Sequence, residues 1–116
     1  MPNWIPLRSE QEIASIRERS QQVPCLIFKH STRCNISSIA QYRLDDDWTF
    51  APGEVEPYYL DLIQYRSVSN AVAEVFQVHH ESPQVLLIVD GDCVYDASHL
   101  DVQVDEIKEA LSGLHP

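Results

Sequence analysis

The chain switches between two hydrophobic periods, and the switches mark out its elements. "WIPL" opens as a short strand. Ser9 with Glu12 three residues on forms a capping-box signature, which predicts a helix from about Glu10 to about Gln21, ahead of Pro24. "CLIFK" is a continuous apolar run of strand type, expected to be buried on both faces. Beyond Cys34, the residues Ile36, Ile39, Ala40 and Leu44 recur at helical spacing, and "DDDWTFAPGEVEP" reads as a loop in which Asp45 to Asp47 are solvated. "YYLDLI" follows as a strand. Val68, Ala71, Val72, Val75 and Phe76 mark one face of a helix, with Ser67 or Ser69 as its cap. "QVLLIV" is another strand of buried type.

Asp90-Gly91 between "LLIV" and "DCVYDA" is a hairpin signal, because both turn positions tolerate positive φ. A two-residue turn there sets a register in which Val89 faces Asp92, Ile88 faces Cys93 and Pro83 faces Ser98. A last helix containing Ile107, Ala110 and Leu111 ends near Gly113. The order is β-α-β-α-β-α-β-β-α. Right-handed crossovers between its parallel strands place helices on both faces of a small mixed β-sheet, an α/β architecture.

Composition narrows the classes. With 116 residues and 44% hydrophobic content the chain fits one compact domain, residues 1–116. Eighteen Asp and Glu against eight Lys and Arg give a net charge of -10, which repels a phosphate backbone, so nucleic acid is not an expected partner. No apolar run approaches a membrane span of roughly 20 residues, and the N-terminal "MPNWIPLRSEQE" has no signal pattern, so the reading is soluble and cytoplasmic. Three cysteines without repeating spacing suit a reducing compartment better than a disulfide framework.

Of these cysteines, Cys34 sits between the end of a strand and the first turn of a helix. The amides of Ile36 and Ser37 lack helical partners there and are expected to point at the sulfur; with Arg33 adjacent, they favour thiolate over thiol. Cys25 begins its strand, about 13 Å from the active end at about 3.3 Å per residue, and is expected in the core. Cys93 lies at the hairpin end by register, and neither reaches Cys34. Four of the five histidines, His30, His79, His80 and His99, are expected near one edge, where an imidazole could stabilise the thiolate or protonate a leaving thiol. A zinc site is not expected, because the ligands are not spaced on one element.

The element order is that of the thioredoxin-like fold. "FKHST.C.IS", followed by "YYLD", "SN..AE.F.V.HESPQV" and "ASH", resembles the bacilliredoxin-type YtxJ family of the bacillithiol system, from about Cys25 to Leu111. Asn35 stands where members tend to carry proline, and lacks the ring that fixes φ at a first helical position. The resemblance implies a cis Ser82-Pro83 bond facing the reactive cysteine. It also implies a monothiol thiol-disulfide exchange that removes bacillithiol from protein mixed disulfides.

In that reading Cys34 is the nucleophile, and Ser37, in the place of a second cysteine, is its stabiliser. His30, Arg33, Asn35, Ser82, Pro83 and His99 contact substrate. Bacillithiol is the thiol co-substrate, no cofactor is tightly bound, and the partners are bacillithiolated client proteins and a low-molecular-weight thiol. Two other classes stay open. One is an iron-sulfur carrier resembling monothiol glutaredoxins, although their Cys-Gly-Phe-Ser pattern is absent. The other is a non-catalytic interaction domain presenting the acidic surface and Tyr58-Tyr59.

Overall fold

A computed structural model describes residues 1–114. Its elements run β1 (Ile5–Pro6), α1 (Glu10–Arg19), β2 (Cys25–His30), α2 (Asn35–Asp47), β3 (Glu56–Asp61), α3 (Arg66–Phe76), β4 (Gln84–Val89), β5 (Asp92–Ser98), a 3₁₀ turn (His99–Asp101) and α4 (Val104–Ser112). The predicted order is therefore observed. The sheet is arranged β1-β3-β2-β4-β5, with β1, β3 and β2 mutually parallel, β4 antiparallel to β2, and β5 antiparallel to β4.

Strand alternation divides the interior into two cores. Leu26, Phe28, Val85 and Leu87 face one way and pack with Ala40 and Leu44 of α2 and with Val104, Ile107 and Leu111 of α4. Ile27, Leu60, Leu86 and Ile88 face the other way, against Ile13 and Ile16 of α1 and Val68, Val72 and Phe76 of α3. All six residues of β2 are buried, which is why its sequence reads as an unbroken apolar run up to Lys29.

Several boundaries differ from the sequence reading for local physical reasons. The predicted first helix overran its end: α1 stops at Arg19 because Ser20 is occupied by the hairpin, its carbonyl accepting from Asp90 N and its hydroxyl from Gly91 N at 2.8 Å. The capping box is half formed. Glu12 reaches back to accept from Arg8 N and Ser9 Oγ, but the Ser9 hydroxyl does not cap the helix. Asp45 to Asp47 are not loop but the last turn of α2, where Asp45 accepts a 2.8 Å hydrogen bond from Trp4 Nε1.

Neither Ser67 nor Ser69 caps α3. Asp61 Oδ1 accepts from Ile63 N and Gln64 N, so the turn into the helix begins earlier, and Tyr65 is the N-cap. The helical spacing of Ile36 and Ile39 also misled: both are exposed, and α2 buries Ser37, Ala40 and Leu44 instead.

The hairpin turns as expected, with φ of 52° at Asp90 and 84° at Gly91. Val89 pairs with Asp92 and Ile88 with Cys93, as predicted, but a bulge follows. Leu87 pairs with Tyr95, leaving Val94 unmatched, so Gln84 rather than Pro83 lies opposite Ser98. The bulge also changes which face β5 presents. Cys93 packs with the α1/α3 core, whereas Tyr95 and Ala97 join the α2/α4 core.

Candidate active site around Cys34

The loop after β2 delivers Cys34 to the start of α2. Cys34 N donates to Ser31 O at 3.2 Å, and Cys34 O accepts Ser38 N as the first helical bond. Its extended backbone (φ -118°, ψ 123°) is that of an N-cap residue. The sulfur makes no capping bond, so the expected contacts from the Ile36 and Ser37 amides are not made. A neutral thiol is a weak acceptor, and only the charged thiolate would be drawn onto those amides. Cys34 is partly exposed, Arg33 and Asn35 beside it are exposed, and so are Ile36 and Ile39 on the outer side of α2.

Ser37 makes no hydrogen bond to the sulfur either. It is fully buried, where its Oγ accepts from Ser31 N at 2.9 Å and shares a 2.7 Å hydrogen bond with His30 Nδ1. The hydroxyl thus ties the Cys34 loop to the first turn of α2 and to the end of β2. His30 is correspondingly not a surface contact residue. Alternation along β2 turns its ring under α2 between Phe28 and Tyr59, at 5.5 and 5.6 Å between ring centroids. Burial lowers its pKa below the ordinary histidine value, with Asp61 opposing, so the ring is held neutral.

Next to the end of β2 that carries His30, Ser82-Pro83 is cis and leads into β4. Pro83 is buried and its carbonyl accepts from His99 N at 2.9 Å, which fixes the 3₁₀ turn beside it. His99 itself has φ of 57°, in the left-handed region that non-glycine residues seldom occupy. Ser82 Oγ is enclosed without a hydrogen-bond partner among the described residues. Of the predicted contact residues, then, Arg33, Asn35 and His99 are on the surface, Ser82 and Pro83 line the approach to β4, and His30 supports from beneath.

The four histidines do not form one cluster. His79 and His99 flank Glu81, with Nε2 to carboxylate distances of 3.9 and 3.5 Å. His80 faces Lys29 toward α3, on the opposite side of the sheet from His30. The sequence reading missed Lys29 altogether, although a lysine inside a strand expected to be buried on both faces is itself a signal.

The other two thiols are placed as predicted. Cys25 and Cys93 both pair with Ile88, at the end of the sheet away from His30. Burial pushes the Cys25 thiol up to about 12 and the Cys93 thiol up to about 11, so neither ionises near neutral pH. Among the described residues, no group of three or more His, Cys, Asp or Glu side chains is arranged to hold a metal ion, and no helix is long and apolar enough to cross a membrane.

Comparison with known proteins agrees with this geometry. A family model for the monothiol bacilliredoxin BrxC matches residues 5–107. A solved structure of a candidate oxidoreductase with a thioredoxin fold is 29% identical, with a TM-score of 0.80 and 92% of each chain covered. Thioredoxin of Malassezia sympodialis is 11% identical with a TM-score of 0.74, covering 97% of this chain and 91% of that one. Fasciola hepatica thioredoxin is 16% identical at a TM-score of 0.71, covering 97% and 98%.

Proposed function

This chain belongs to the monothiol bacilliredoxin family, and from that premise we propose that it removes bacillithiol from protein cysteines through Cys34. The observation that carries the reading is a partly exposed thiol placed at a helix start, with Ser37 in the place where a dithiol enzyme holds its second cysteine. The Cys34 thiolate attacks the bacillithiol sulfur of a mixed disulfide. A bond forms between Cys34 and bacillithiol, the client's sulfur leaves as thiolate, and the client is reduced.

With a buried serine at position 37 and the other two thiols at the far end of the sheet, the chain has no internal group to resolve that adduct. A second low-molecular-weight thiol attacks it instead. Cys34 is released and the small thiols leave as their own disulfide. Support for this chemistry is the position of Cys34 as N-cap of α2, where a sulfur anion would find the unpaired amides of the first turn. Ser37 supports this indirectly, by holding the loop through Ser31 N and His30.

The test is intact-mass and peptide-mapping spectrometry after brief mixing, at about pH 6 where an ordinary thiol is protonated, with a reporter protein carrying a bacillithiol mixed disulfide. Transfer of one bacillithiol to Cys34 with release of the reporter thiol is the expected result. Absence of transfer, with Cys34 alkylated no faster than a free cysteine, sinks the proposal and favours a non-catalytic interaction domain.

A further inference from the structure

Lys29 is the largest fully buried polar side chain among the described residues, and the exchange reaction does not use it. It is fully enclosed, one residue before His30 at the end of β2, and among the described residues no carboxylate pairs with it. Its ammonium donates to Ser69 O of α3 at 3.1 Å and lies 3.2 Å from His80 Nδ1. An ammonium has only donors, so His80 must offer its Nδ1 lone pair, and the ring carries its proton on Nε2. Burial first, then the Lys29 charge, lower the His80 pKa in the same sense.

The cross-strand partner of Lys29 is Gln84 of β4, also buried. Gln84 Nε2 donates to His79 O at 3.0 Å, and its Oε1 accepts from Glu81 N at 3.4 Å. Two buried polar residues, paired across β2 and β4, therefore grip three consecutive residues. Gln84 holds the backbone on either side of His80, and Lys29 holds the His80 ring between them. The next residue is Ser82.

We propose that Lys29 is a positioning residue which, anchored on Ser69 O, fixes His80 in one tautomer and thereby sets the segment that presents Ser82 to a mixed disulfide at Cys34. This rests on the proposed exchange reaction only for its kinetic consequence. Arg66 from α3, His79 and Glu81 from the same loop, and His99 through Glu81 are the other titratable groups around His80. Protonating His80 places a second cation against Lys29, with only Glu81 opposing, so acid should release the loop.

The experiment compares wild type, Lys29→Met, His80→Leu and His80→Gln, the last of which keeps an acceptor for the ammonium. In wild type, ¹⁵N spectra of His80 should show an unprotonated Nδ1 and a protonated Nε2. Lys29→Met should lose that single tautomer and shift the backbone amides of 78–82. In steady-state exchange with the bacillithiolated reporter, Lys29→Met and His80→Leu should raise KM about tenfold, the loss expected for one charge-assisted hydrogen bond. His80→Gln should restore it, and Cys34 alkylation by iodoacetamide should be equal in all four. An unchanged tautomer and unchanged loop amides in Lys29→Met overturn the proposal, as does an unchanged KM. If wild type itself shows no exchange, the proposed function fails alone, and the spectra decide the positioning of the loop.

Discussion

Burying Lys29 costs stability, and the cost has a pH signature. Enclosure lowers its pKa from the ordinary 10.5 to about 8, a gap worth about 3 kcal/mol against the charged amine. Between pH 8 and 10.5 the unfolded chain binds the proton that the folded chain has already lost, so this group makes stability rise with pH across that window. The slope approaches about 1.4 kcal/mol per pH unit at most. Other groups oppose it: Cys25, Cys93 and Tyr58 all have raised values, and each favours unfolding as the solution becomes alkaline. Lys29→Met cancels those common contributions. Methionine fills a similar volume without charge, and Ser69 O keeps its place in the helical ladder of α3. Urea unfolding of both proteins under reducing conditions, followed by Trp4 and Trp48 fluorescence, gives the stability difference at each pH. It should move in favour of wild type by about 2–3 kcal/mol from about pH 7.5 to about pH 10.5. A difference constant to within about 0.5 kcal/mol would refute the argument that the buried amine carries an unpaired charge at neutral pH.

Three further outcomes follow from the same geometry. In native protein at about pH 7.5, excess iodoacetamide should add one adduct by intact mass, on Cys34, because burial keeps Cys25 and Cys93 protonated. Ser37→Ala should cost about 1–3 kcal/mol in urea unfolding, since it strands Ser31 N and the His30 ring in a buried site; a neutral result would show that the three-way bond does not hold the Cys34 loop. His30 and His80 both have lowered values, so their contribution to stability is present above the ordinary 6.5 and is lost as pH falls through their folded values. Urea midpoints should therefore drop from about pH 7 to about pH 5, and drop less in His80→Gln.

The element order and the position of Cys34 were legible because they depend on local pattern: buried strands read as apolar runs, and Asp90-Gly91 admits few alternatives. Ser37 and His30 were identified as site residues, but their mutual bond was not. That bond depends on which face of β2 carries His30 and on α2 burying a serine while exposing two isoleucines, contrary to the usual preference. The bulge at Val94 has no marker in "DCVYDA", and ignoring it shifted every pairing toward Pro83 by one residue. The histidines were correctly placed along the chain yet wrongly gathered, because strand and loop geometry send them to opposite faces.

The unmatched Val94 has a bearing on solubility. Both outer strands of the sheet are poor templates for a foreign chain. β1 is two residues long and ends in Pro6, which has no amide to donate, while β5 is broken in phase at Val94 and carries exposed Asp92 and Asp96. A segment trying to zip onto β5 would match the ladder on one side of the bulge and miss it on the other. For the exchange proposed at Cys34, this irregular rim means that a client's extended backbone finds no regular ladder to lengthen along either outer strand.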